Sequence, residues 1–129
     1  MDLTISRVLC DEMRHAAAAS PDAEICGLLL GRGSVVETIR PCANIALDPR
    51  DSFEIDPAAL IAAHRTARAG GASPIGHYHS HPQGGTAPSA RDAAAAEPGR
   101  YWIIIAAGEL GCWLAVPGGR FIPVGLAEQ

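Results

Sequence analysis

The chain has 129 residues, 48% of them apolar, and a formal net charge of −4. That length fits one compact domain, residues 1–129, with enough apolar material for a core. The acidic balance, with ten basic residues that are all arginine and scattered, disfavours a nucleic-acid partner. No apolar run reaches bilayer length, and the start MDLTISRVLCDEMRHAAAA lacks the basic-then-apolar order of a secretory signal. The expectation is a cytoplasmic protein with no membrane partner. Cys10, Cys26, Cys42 and Cys112 form no Cys-x-x-Cys pair and read as small buried hydrophobes in a reducing compartment.

In chain order, Leu3 to Ala19 predicts a short strand entering an amphipathic helix, with Val8, Met13 and Ala16 toward one face. Ser20-Pro21-Asp22 breaks it. EICGLLLGR (24–32) is a buried strand and SVVETIRPCAN (34–44) a second, joined by a tight turn at Gly33 into a hairpin. IALDPRDS (45–52) is a loop and FEID (53–56) a short extended piece. Asp56 caps, and Pro57 opens, a helix that ends on Gly70-Gly71. SPIGHYHSHP (73–82) is a strand halted by Pro82, QGGTAP (83–88) a loop, and Ser89 the cap of a short alanine-rich helix. Arg100 to Leu126 reads as three strands with glycine turns, Tyr101 to Ala107 being the longest apolar run. The order predicts an α/β fold: a mixed sheet flanked by helices, with antiparallel hairpins at both ends of the sheet.

Three of the five histidines lie at alternate positions, His77, His79 and His81. Alternate strand residues face one side, so the imidazoles of His79 and His81 can converge on one ion. With Ser89 as cap, Asp92 occupies the third helical position, from which its carboxylate can reach the strand end. Two nitrogens and one oxygen leave a fourth tetrahedral position open, the pattern of a catalytic zinc rather than a structural one. Such a metal lowers the pKa of a coordinated water to about 7, and hydrolysis then needs a base that is not a ligand. Glu24, at the start of its strand, is the best candidate, although spacing alone does not bring it to the histidines.

Glu24 with Cys26-Gly27, then His79-x-His81-Pro82, seven intervening residues, and Ser89-x-x-Asp92 resembles the JAMM (MPN+) metalloprotease family. EICGLLLG, GHYHSHP and APSARD match its blocks in order, over about Ser20 to Ala107. The resemblance implies a sheet between helices similar to that of the cytidine deaminases. It implies one Zn²⁺ on His79, His81 and Asp92, Glu24 as proton shuttle and Ser89 as hydrogen-bond donor to the substrate oxygen. It implies a short prokaryotic metallopeptidase or isopeptidase acting after the C-terminal Gly-Gly tail of a ubiquitin-like or sulfur-carrier protein. No segment is long enough to match the insertions of the larger deubiquitinases.

His77 shares the parity of the pair and could be a third nitrogen ligand, but Asp92 completes the set and leaves it as a wall residue. Ser80 faces the other way, toward a backbone hydrogen bond. His15 and His64 are expected to be solvated, and Cys26, Trp102 and Trp113 to pack in the core. A metal-free scaffold of the same fold is disfavoured by the intact residue set. A deaminase would need a Pro-Cys-x-x-Cys block, which is absent. A relative of DNA-repair proteins with a similar histidine block would need a basic patch.

Overall fold

A computed structural model describes Met1 to Gln129. Eight strands and three helices follow in order: β1 (Asp2–Ile5), α1 (Arg7–Ala18), β2 (Cys26–Arg32), β3 (Val35–Cys42), α2 (Pro57–Arg68), β4 (Ser73–Ser80), α3 (Ala90–Ala95), β5 (Tyr101–Ala106), β6 (Glu109–Val116), β7 (Arg120–Pro123) and β8 (Gly125–Glu128). They form one sheet of order β7-β6-β5-β4-β2-β3-β1-β8. The sheet is mixed. The β2–β3, β2–β4, β5–β6 and β6–β7 pairs are antiparallel, while β4–β5, β1–β3 and β1–β8 are parallel. The α/β mixed sheet is as expected, and the β4-to-β5 connection through α3 is the crossover that a parallel pair requires.

Two expectations are corrected. The C-terminal segment makes four strands, because Val124, whose N–H donates to the Cys112 carbonyl, separates β7 from β8. An antiparallel meander therefore closes only one end of the sheet, and the other end is the parallel pair of the two chain termini, with Leu3 opposite Leu126. On α1, Val8 and Ala16 point to solvent; Cys10 and Met13 are fully buried, with Leu9 and Ala17 beside them. The residue at Val8 is apolar but lies off the i, i+3, i+4, i+7 stripe that Cys10, Met13 and Ala17 define.

α1 covers one face of the sheet. Here Leu3, Ile5, Met13, Leu29, Tyr78, Ile103 and Ile105 belong to a buried cluster of 11 residues. α2 covers part of the other face over a cluster of four, Cys26, Leu28, Ile55 and Ala63. Strand parity puts His77, His79 and Trp102 on this second face. β4 lies between β2 and β5, with His79 opposite both Cys26 and Ile104. Gly27 makes that pairing possible, since a Cβ there would run into the Tyr78 ring. No helix is long and apolar enough to cross a membrane.

Candidate metal centre

His79 is fully buried at the end of β4, and His81 lies just past it, where its N–H still donates to the Ile105 carbonyl at 2.9 Å. Asp92 is the third residue of α3. Ser89 and Asp92 form a capping box: Asp92 N–H donates to Ser89 Oγ at 3.1 Å, and Ser89 N–H donates to Asp92 Oδ2 at 2.8 Å. The box turns the carboxylate back toward the strand. His79 Nε2, His81 Nε2 and Asp92 Oδ2 then form a triangle with sides of 3.1, 3.1 and 3.3 Å. Ligands 2.0–2.1 Å from a tetrahedral metal stand about 3.3–3.4 Å apart, so the triangle suits a metal ion with no movement beyond a few tenths of an ångström. Ligand atoms of Glu24, His79 and His81 also lie within 4.8 Å of one another.

The protonation pattern suits the same use. His81 Nδ1 donates to the Gly85 carbonyl at 2.8 Å, which fixes the ring with Nε2 turned toward His79 and Asp92. Burial alone would raise the Asp92 carboxyl, but hydrogen bonds from His79 and His81 outweigh it and hold Asp92 below the usual carboxylate range. Glu24 goes the other way. Burial pushes it up to about 7, against the opposing pull of His81. Its Oε1 is buried with no hydrogen-bond partner from the protein, an acceptor poised near neutrality.

Glu24 lies two residues before β2, held by the neighbouring loop. Its N–H donates to the Pro49 carbonyl at 2.7 Å and its carbonyl accepts from Asn44 Nδ2 at 2.9 Å. Ser80, on the reverse face of β4, accepts from Ile25 N–H at 2.9 Å, as its parity suggested, and so ties the Glu24 segment to β4. The five residues expected at the site therefore converge on one end of β4.

Four other residues shape the centre. Phe53 stacks on the His79 ring at 4.2 Å between centroids and 19° between planes. Asn44 orders the loop that carries Phe53. Gly85 orients His81. Trp113, expected in the core, is half-buried, and its Nε1 donates to the Thr86 carbonyl at 2.8 Å, seating the QGGTAP loop. No sequence signal marks Phe53 or Asn44, because both act across the fold. His77 is a wall residue: it is held neutral, with burial and then His79 pushing its pKa down to about 3, and it packs against Phe53 and Trp102. With Phe53, Leu28, Leu60 and Trp102 it lines a cleft of about 390 Å³. Cys26 and Trp102 are core residues, and His15 and His64 are exposed.

A model of prokaryotic homologs of the JAB domain matches residues 6–116. A desampylase of Haloferax volcanii is 36% identical over 94 residues, covering 70% of this chain and 68% of that one. A probable TtuB-protein conjugate cleaving protease of Thermus thermophilus is 36% identical over 90 residues, covering 70% of this chain and 60% of that one. A JAB1/MPN domain protein of Archaeoglobus fulgidus, 21% identical, aligns with a TM-score of 0.60 over 99% of this chain and 100% of that one, a likeness of fold. With the family's model matched along most of the chain, on this sheet and with this cluster at the end of β4, the chain belongs to the prokaryotic homologs of the JAB domain.

Proposed function

We propose that the chain is a zinc metallo-isopeptidase that hydrolyses peptide or isopeptide bonds after the C-terminal tail of a ubiquitin-like or sulfur-carrier protein. The observation that carries this reading is the 3.1–3.3 Å triangle of His79, His81 and Asp92 with the buried Glu24 carboxylate beside it. The relatives support the substrate class, one being named a desampylase and the other for cleaving TtuB-protein conjugates. A cytoplasmic location belongs to the same proposal, supported by four cysteines that all stand as free thiols.

His79, His81 and Asp92 would hold one zinc, which when bound supplies Lewis-acid polarisation of the scissile carbonyl and a nucleophile at neutral pH. Glu24 takes a proton from the attacking water and returns it to the leaving nitrogen, a role for which its buried Oε1, with no protein partner, is free. The Ser89 hydroxyl accepts from Asp92 N–H, so its own O–H remains free to donate to the carbonyl oxygen as charge develops there. Water adds to the carbonyl carbon, the C–N bond breaks, and the products are a carboxylate and an amine.

The test is a ubiquitin-like carrier bearing a short extension after its Gly-Gly, with cleavage read by mass spectrometry and zinc by elemental analysis. Wild type should carry about one zinc per chain, the expectation for one open three-ligand site, and release the extension. His79→Ala, His81→Ala and Asp92→Ala should each lose both properties. Full zinc in the His81→Ala protein would sink the ligand set, and an intact carrier beside zinc-loaded wild type would sink the substrate class.

A further inference from the structure

We propose that Asn44 is a positioning residue that sets the general base: it holds the backbone of Glu24 and the loop facing the metal centre in one arrangement. The inference rests on the reading of Glu24 as base. Glu24 lies outside the β2 ladder, and its buried Oε1 has no protein partner. The direction of its side chain is therefore set by how its peptide groups are held. Both are held by one loop, through the Pro49 carbonyl at 2.7 Å and Asn44 Nδ2 at 2.9 Å, the latter 20 residues away in sequence.

Asn44 uses its whole hydrogen-bonding inventory. Nδ2 also donates to the Ser52 carbonyl at 3.0 Å, and Oδ1 accepts from Ala46 N–H at 3.0 Å and Glu54 N–H at 3.1 Å. Two donors and two acceptor positions are all that a side-chain amide offers. A flipped amide would set its oxygen against two carbonyls, so one orientation is dictated. The segment closed in this way contains Pro49, which holds Glu24, and Phe53, which stacks on His79. Asn44 belongs to neither apolar cluster and is not hydrogen-bonded to His79, His81 or Asp92. Its hydrogen bond to Glu24 is direct, whereas it reaches Phe53 only through the flanking Ser52 and Glu54 peptide groups, so its influence on catalysis is assigned to Glu24.

The experiment is single-turnover and steady-state cleavage of the Gly-Gly-extended carrier by the zinc-loaded full chain. It compares wild type, Asn44→Ala, Asn44→Asp, Glu24→Gln and the Asn44→Ala/Glu24→Gln double variant. Asn44→Asp keeps the two Oδ1 acceptor bonds to the loop, at Ala46 and Glu54, and removes the Nδ2 bonds to Glu24 and Ser52, whereas Asn44→Ala removes all four. Both Asn44 variants should keep zinc, far-UV circular dichroism and KM, and lose about 10–100-fold in kcat, the usual cost of an unsupported active-site group. Because Asn44 acts through Glu24, adding Asn44→Ala to Glu24→Gln should cost nothing more. Multiplicative losses in the double variant, or wild-type kcat in both Asn44 variants beside a nearly inactive Glu24→Gln, would overturn this inference alone. A fully active Glu24→Gln would overturn the base assignment and this inference with it.

Discussion

The two faces of the sheet are built for different purposes. The face under α1 carries the 11-residue apolar cluster, with Leu3, Met13, Leu29, Ile103 and Cys10 fully buried. The face under α2 carries a smaller buried apolar cluster of four residues, with Trp102 also buried there, and beside them Glu24, His79 and Asp92, which are buried and polar. Apolar burial stabilises by roughly 25 cal/mol per Å², whereas a buried carboxylate or imidazole costs free energy unless it is paired. The first face can hold the fold together while the second tolerates groups that are useful only to chemistry. The same strands serve both: β4 places Tyr78 and Ser80 on one side and His77 and His79 on the other.

Substitutions on the two faces should therefore separate activity from stability. The largest effect falls on the polar face. Glu24→Gln should keep zinc and lower kcat by about 10²–10⁴-fold, the contribution of general acid–base catalysis, with thermal stability near that of wild type; an active variant would remove Glu24 from the mechanism. Ser89→Ala should follow, at about 10²–10³-fold in kcat for one lost oxyanion donor, read in the same assay. On the apolar face the expectation inverts. Leu29→Ala should lose about 2–5 kcal/mol in denaturant unfolding, the cost of a cavity among well-packed neighbours, while the kcat of the folded fraction holds.

Chelation sharpens the contrast further. Removing metal should abolish cleavage and leave far-UV circular dichroism almost unchanged, because the 11-residue cluster does not include His79, His81 or Asp92. Unfolding on chelation would make the ion structural. The smallest effect concerns the thiols. Burial pushes Cys10 up to about 11 and Cys26 and Cys112 up to about 12. Below those values the thiolate fraction grows about tenfold per pH unit, so at pH 8 these three should be almost unreactive. Half-buried Cys42 should take up iodoacetamide first, with intact mass as the readout; early double labelling would show that a buried face of the sheet opens.

The wall of His79, His81 and Asp92 is the part of the site that local sequence carries. His79-x-His81 on a strand, the Pro82 stop and the Ser89-x-x-Asp92 capping box each follow from neighbours within a few residues. Period-two alternation and cap geometry turn that spacing directly into converging side chains. The hairpin of β2 and β3, and α2 with its Asp56 cap, were legible for the same reason. The face of α1 and the break between β7 and β8 were not. A short amphipathic stripe has several registers when alanine fills most positions, and Val124 separates its strands by bonding to β6 rather than by a turn signal.

The Glu24 wall belongs to tertiary structure. Glu24 stands 55 residues before His79, and nothing in their spacing brings them together; motif resemblance pairs them, and the sheet does it physically by setting β2 beside β4 with Cys26 opposite His79. Asn44 and Phe53 carry no sequence signature because hydrogen bonds and ring stacking between distant segments depend on the final backbone path. Sequence by itself determined the donor types, the strand that presents them and the cap that turns Asp92 inward, all consequences of local periodicity. Tertiary structure alone decided how Glu24 is buried, what holds its peptide groups and how far its proton affinity rises, because desolvation and long-range hydrogen bonds exist only once the chain has folded.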